Sequence, residues 1–315
     1  MQDRIEGKRI VVTGGAGFIG SRLLRSIAGT NQVEVLDDMS TGMPGNLRAT
    51  GLSRKFAFHK GKSRDIGKFC ERSDLVFHLG TPSAGEMYRK DPFLIGESLS
   101  DMVGVLEYAR KNDAGVVLAS SSAVYNGLKP PHSESASLKV SDYQAEAKVG
   151  SERLCELYAN LYGLGINVMR LFSVYGPGEE GKGEHASPVS QFIWAVSKRK
   201  HPIIYGDGSQ RRDFVFVDDA VRAMIKAAEP KGMQVFNVGT GKSYSLVEVL
   251  GIVCKECGRS VKPVYADIPA SNYQVETLAE TSKASEFLDF RAEVSLEQGI
   301  SIMIAGNKNG ARIQL

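Results

Sequence analysis

The sequence predicts an α/β protein in which a doubly wound parallel sheet carries a smaller, discontinuous C-terminal lobe. Three observations predict it. Residues 8–38 read as strand, glycine turn, helix, strand and acid. Short, continuously apolar strands then alternate with helices as far as Phe172, the pattern of a parallel sheet covered on both faces. After Tyr175 the chain changes character, with a Gly-, Glu- and Pro-rich stretch followed by a helix-rich tail.

Taken in order, Ile10, Val11 and Val12 form the first buried strand. Gly14, Gly15, Gly17 and Gly20 follow, and Leu23, Leu24 and Ile27 recur at helical spacing over 21–27. The second strand, 33–36, ends at Asp37. A tight turn needs positive φ, a pyrophosphate needs close backbone approach, and the helix must pack tightly on the sheet. The helix N-terminus offers free N–H groups and partial positive charge to phosphates. Asp37 stands about 20 residues beyond the loop, where a carboxylate accepts ribose hydroxyls. Together Asp37 and Asp38 repel a 2′-phosphate, so the stretch predicts a Rossmann site for NAD rather than NADP.

Further strands are predicted at 55–59, 75–79, 116–119 and 166–172, and long helices at 93–111 and 142–162. The stretch 176–188 reads as a mobile loop and 191–198 as a helix. A strand at 214–217 leads to Asp218, the expected cap of a helix over 219–228, with Val221, Met224, Ile225 and Ala228 on one face. Ser245 and Glu248 make a capping box. The expected division is an NAD-binding domain of 1–174 and 213–240, and a substrate lobe of 175–212 and 241–315 with a cleft between them.

Bulk properties exclude several classes. A net charge of +3 is too small to argue for a nucleic-acid partner, and the basic run 197–201 reads as a solvated helix end. No apolar run is long enough to span a bilayer, and the N-terminus, with Asp3 and Glu6, lacks a signal-peptide core. A cytoplasmic protein with no membrane partner is expected. Cys254 and Cys257 form a CxxC, but within a helical run and with no second ligand pair. The histidines show no HExxH, and no metal site is expected.

The motifs, in order along nearly the whole chain, carry a family resemblance. They are TGGAGFIG (13–20), DDMSTG (37–42), FHL (77–79), SSSAVY (120–125), RLFSVYGP (170–177), YGDGSQRRDF (205–214), NVGTG (237–241) and VSLEQGI (294–300). With these the chain resembles the extended short-chain dehydrogenase/reductases that act on nucleotide sugars, the group that includes UDP-glucose 4-epimerase. The resemblance implies NAD held by Gly14, Gly17, Phe18, Ile19, Gly20, Asp37, Asp38, Ser40, Thr41, Gly42, Leu79, Gly80, Lys148 and Val174. It implies a UDP-hexose held by Ser122, Ser173, Tyr205 and Arg212, with Arg212 a fork of donors on the diphosphate and Tyr205 either against the base or in a lobe core. It implies a homodimer through the helices at 93–111 and 142–162.

The family's chemistry needs a tyrosine phenolate to take a proton from a sugar hydroxyl as a hydride moves to NAD. A nearby lysine lowers that tyrosine's pKa, and a serine or threonine orients the hydroxyl. Ser121 and Lys148 match the serine and the lysine. The tyrosine belongs one helical turn before Lys148, and there the chain has Gln144. Tyr143 is one position off, rotated about 100° around the helix. Glutamine does not ionise near neutral pH. Three readings stand: a deliberate substitution that traps a complex, a natural loss with another base such as Tyr143, or binding without reaction. Family positions held here by Lys62, Ser98, Ser173, Gly178 and Ala270 also depart from the family pattern, which favours natural divergence. Ser122 and Ala123 follow Ser121 where dehydratases and decarboxylases of the family place acids, a pattern similar to the 4-epimerases. The expectation is an NAD-dependent 4-epimerase, impaired by Gln144. The alternatives are an NAD- and ligand-binding protein without turnover, or an oxidoreductase or dehydratase on another sugar.

Overall fold

The computed structural model describes residues 4–52, 54–140, 142–268 and 274–310. The strands are β1 (Arg9–Thr13), β2 (Gln32–Asp37), β3 (Phe56–Lys60), β4 (Leu75–His78), β5 (Gly115–Ser121), β6 (Ile166–Leu171), β7 (Val174–Tyr175), β8 (Ile203–Tyr205), β9 (Arg211–Asp213), β10 (Val215–Phe216), β11 (Met233–Val238), β12 (Ser243–Ser245) and β13 (Val264–Ala266). The helices are α1 (Phe18–Ile27), α2 (Pro44–Ala49), α3 (Ile66–Phe69), α4 (Gly85–Lys90), α5 (Leu94–Asn112), α6 (Tyr143–Tyr162), α7 (Pro188–Ser197), α8 (Val217–Lys226), α9 (Leu246–Cys257), α10 (Ser282–Leu288) and α11 (Leu296–Gly310).

Seven parallel strands form the central sheet in the order β11-β6-β5-β4-β1-β2-β3. The continuous apolar runs are buried on both faces, as β4 and β6 show along their whole length. On one face Leu23, Leu24, Val221, Met224 and Leu288 pack beneath α1, α8 and α10. On the other, Ile66, Val105, Leu106 and Cys155 pack beneath α3, α5 and α6. The strand order reverses direction between β1 and β4, and it is outside such a switch point that ligands of doubly wound sheets bind.

A third apolar cluster lies under α7, α9 and α11, where Val189, Phe192, Val249, Leu250 and Ile300 meet Tyr175, Phe214 and Phe216. Its helices start as their sequences direct. Ser187 caps α7, with Pro188 at the first helical position, and Ser245 and Glu248 close the capping box of α9. Asp213, fully buried, joins β9 to the loop after β11 and to the C-terminal segment. Its carboxylate accepts from the N–H groups of Thr240, Gly241 and Ala279 and from the Thr240 hydroxyl.

Three expectations are corrected. Residues 214–217 are not one strand: the chain bends between β9 and β10. Asp218 caps nothing. Phe216 holds the cap position of α8 without a side-chain hydrogen bond, and Asp218, inside the first turn, pairs with Arg22 of α1 at 2.6 Å. The stretch 176–188 is built rather than free. It contains a 3₁₀ helix, Glu180–His185, hung on the buried Glu179. That carboxylate accepts from the Ser190 hydroxyl, from Ser187 N–H at 3.2 Å and from Lys182 at 3.0 Å. Glycine-rich composition signalled mobility, but a long-range buried acid decides the structure.

Candidate active site

The β1–α1 turn is a cradle that side chains would fill. Gly14 has φ +70°, and a Cβ there would lie 2.7 Å from the Leu79 carbonyl and from Gly80 N. A Cβ on Gly20 would run into the Gly14 carbonyl, so α1 can approach the turn only with glycine there. Gly17 holds the N-cap position with no side-chain cap, so no capping side chain competes for the first N–H groups of α1, which begins with Phe18 and Ile19.

Asp37, 7% exposed, ends β2 beside this turn. One carboxylate oxygen accepts from Ala16 N–H at 2.9 Å, the other from Met39 N–H at 2.8 Å. Burial pushes its pKa up, and these two hydrogen bonds pull against that. A carboxylate has lone pairs to spare for ribose hydroxyls. Gly42 must be small, since a Cβ there would lie 2.6 Å from an Asp37 oxygen. Asp38, Ser40 and Thr41 are exposed around the same corner, with Asp38 accepting from Ser40 N–H at 2.9 Å. On the far side of the turn, Gly80 N–H donates to Thr13 Oγ1 at 3.2 Å, which also contacts His78 Nδ1 at 2.7 Å. Burial holds His78 near a pKa of about 3, so it stays neutral. The glycine cradle, the open helix end and the buried acid fit a dinucleotide.

The residues matched to the catalytic serine and lysine lie where β4, β5 and α6 converge. Ser121 ends β5, its Oγ accepting from Ala123 N–H at 3.1 Å and its own proton left to donate. Ser122, beside it, is buried. Lys148, 6% exposed, reaches from α6 to Thr81 Oγ1 at 2.6 Å and to the Ala119 carbonyl at 3.2 Å. One turn earlier, Gln144 reaches the same segment after β4, its Nε2 donating to the Ser83 carbonyl at 2.7 Å. Positions 144 and 148 therefore share one face of α6, as their spacing requires. Tyr143 lies on the neighbouring face, 47% exposed.

Beneath this layer the polar groups are paired. Glu152, one turn beyond Lys148, accepts from Arg170 Nη2 at 2.6 Å and from the Ser120 hydroxyl at 2.5 Å. Arg170 also donates to Tyr125 Oη at 2.8 Å, and Tyr125 donates to Asn237 at 2.7 Å.

Of the predicted substrate residues, Ser173 and Val174 stand together where β6 gives way to β7, with Ser173 O accepting from Val215 N–H. Tyr205 is 42% exposed on β8. The Arg212 guanidinium donates to the backbone carbonyls of Arg211, Gln274 and Val275. Among the departing positions, Lys62 pairs with Glu97 of α5 at 2.7 Å, Ser98 meets Tyr88 Oη at 3.0 Å, and Gly178 has φ +103°. Ala270 lies outside the described residues. The sequence reading missed Thr81 and Glu152 as supports of Lys148. It missed Asn46 too, which donates to the carbonyls of Ala16 and Gly178 and so ties the cofactor turn to the loop opposite.

A family model for the NAD-dependent epimerase/dehydratase family matches residues 10–239. The chain belongs to this family, and its cofactor is NAD. A UDP-glucose 4-epimerase of Mycolicibacterium smegmatis is 34% identical over 93% of this chain and 96% of its own length. The UDP-glucose 4-epimerase of Thermotoga maritima, solved with UDP-glucose, superposes with a TM-score of 0.89 at 28% identity, covering 96% of this chain and 99% of that one. The UDP-glucuronic acid 4-epimerase of Bacillus cereus, solved with UDP-glucuronic acid and NAD, gives 0.84 at 25% identity, covering 96% and 99%. The fold expected of the family, the parallel sheet with helices on both faces, is the fold observed.

Lys148 yields a pH prediction. Burial lowers its pKa from 10.5 to about 8, the nearby Glu152 charge opposing. Below about pH 8 both folded and unfolded chains hold the proton, and burying the ammonium costs about 3 kcal/mol. From there to about pH 10 the unfolded chain binds more protons, so the cost shrinks as pH rises. Lys148→Met should therefore be more stable than the parent near neutral pH, with an advantage that narrows toward about pH 10 in urea titrations. A difference independent of pH would contradict this.

Proposed function

We propose that this chain holds NAD and a UDP-hexose and is built for oxidation and return of a hydride at the sugar C4, as in a 4-epimerase, with the proton-accepting group replaced by Gln144. One observation carries the reading. Gln144 and Lys148 both reach the segment after β4 from one face of α6, which supports a face of the family type with an amide at the tyrosine's position.

Bound NAD supplies the hydride acceptor. The chain's own residues do the rest. The β1–α1 turn and Asp37 hold the pyrophosphate and the adenine ribose. Lys148 holds the nicotinamide ribose and adds positive charge beneath the reacting centre. Ser121 donates to or accepts from the sugar hydroxyl and so orients it. Arg212 exchanges its backbone carbonyls for diphosphate oxygens. Ser122 and Ala123 after Ser121 bring no acid for loss of water or carbon dioxide, which favours epimerisation over those reactions. The hexose is glucose or glucuronate in type, following the ligands of the similar structures.

Gln144 favours a second reading, binding without turnover, and one experiment separates the two. Loss of a general base costs about 10²–10⁴ in rate. UDP-glucose/UDP-galactose and UDP-glucuronate/UDP-galacturonate interconversion are followed by NMR for the parent and for Gln144→Tyr. The proposal expects the variant to turn over one of these pairs about 10²–10⁴ faster than the parent. Equal rates in both would show that another base, such as Tyr143, serves, and the role given to position 144 falls. No turnover in either would remove the epimerase reading.

The outer faces of α5 and α6 expose Val103, Leu157, Leu161 and Tyr162, and we propose that they pair with a second copy. The seam between the two helices is already ordered, with Tyr158 Oη donating to Glu107 at 2.9 Å and Arg110 over the Tyr162 ring. Leu161→Glu should convert a dimer to a monomer in light scattering at micromolar concentration; a monomeric parent would remove the proposal.

A further inference from the structure

We infer that Glu34, His59 and Cys70 form a binding site for one divalent transition metal of the zinc type, at the edge of the sheet. The strand register brings the first two together. Glu34 pairs with Ala57 and Leu36 with His59, so Glu34 and His59 lie on the same face of β2 and β3. His59 Nε2 is 2.8 Å from Glu34 Oε2. Cys70, at the C-cap of α3 and 1% exposed, closes the group. One ligand atom from each of the three residues lies within 4.8 Å of the others. A tetrahedral ion with ligands at roughly 2.0–2.3 Å needs its ligand atoms about 3–4 Å apart, so small side-chain rotations bring the three onto one ion. Imidazole, thiolate and carboxylate together are a zinc-type donor set, and a magnesium or calcium site would be all oxygen.

The surroundings support the assignment. The Glu34 and His59 side chains are 33% and 27% exposed, which leaves an entry path and a fourth position for water. The Phe69 ring packs 5.7 Å from the His59 ring and limits its rotation. Tyr108 of α5, 5% exposed, lies on the same side of the sheet, near Ser73, Cys70 and Glu34.

Binding breaks the Cys70 S–H bond, sends the proton to solvent and forms a metal–sulfur bond. His59 and Glu34 contribute lone pairs, and no oxidation state changes. The ion would staple β3 and α3 to β2, where β3 has a neighbour on one side only among the described residues. No spacing motif links the three residues, because β3 and α3 bring them together only in the fold.

The test uses the full chain, stripped with a chelator and kept reduced, titrated with Zn²⁺ and with Co²⁺ as a spectroscopic probe. We expect one ion per chain and a sulfur-to-cobalt charge-transfer band. Cys70→Ser and His59→Gln should each lose the band, while Cys254→Ser/Cys257→Ser, which removes the CxxC thiols, should keep it. His59→Gln changes a partly exposed side chain and so tests the site even if Cys70→Ser folds poorly. Absence of the band in the parent, or its loss with the CxxC pair rather than with Cys70, overturns the site. NAD and sugar binding do not enter the readout, so the result stands apart from the proposed function.

Discussion

The buried pair between Arg170 and Glu152 is the constraint on which the placement of α6 over the sheet depends. Both side chains are almost wholly out of water, at 5% and 7% exposure, so neither can be left alone. Arg170 belongs to β6 and Glu152 to α6, and Ser120 of β5 and Tyr125 complete their hydrogen bonds. The pair therefore sets the rotation of α6 over the sheet. One turn back along that helix is Lys148, and one turn further is Gln144. A helix turned differently would aim neither at the segment after β4. The placement of position 144 is thus fixed from below, by buried residues paired with one another.

The same separation runs through the whole site. The features that fit a dinucleotide are all present: the glycine turn, the uncapped start of α1, and Asp37 braced by Ala16 and Met39. The serine and the lysine that match the family's, Ser121 and Lys148, are present as well. At position 144, where the family places its ionisable tyrosine, this chain has glutamine. Lys148 remains buried with its ammonium on Thr81 and the Ala119 carbonyl, a cost in stability that the fold retains. The departures at Lys62, Ser98 and Gly178 have settled into local partners or backbone conformations of their own, which speaks for a chain that has diverged along its length.

How much of this was legible in the sequence depended on the range of the interaction. The glycine turn, Asp37, the capping box at Ser245 and the 144–148 relation are local patterns, and the fold keeps all of them. Asp218 misled because a short acid before a helical run looks like a cap, yet its partner, Arg22, comes from a distant helix. Residues 176–188 misled because composition is blind to Glu179, whose buried carboxylate organises them. Thr81, Glu152 and Asn46 were invisible for the same reason. Each acts through a neighbour that is far away in sequence, and a single sequence carries no signal for such pairings. Arg212 was legible as a residue, but its present hydrogen bonds to the 274–275 backbone were not.

The central claim is that binding is preserved while proton transfer is lost. Its most direct test is the calorimetric affinity of NAD-loaded protein for a UDP-hexose, UDP-glucose or UDP-glucuronate, in the parent and in Gln144→Tyr. The account predicts that both bind the same sugar with affinities within a few-fold of each other, because the residues that hold it are common to both. A parent that fails to bind either sugar, while the tyrosine variant binds one tightly, would show that position 144 shapes the site itself and would contradict the account.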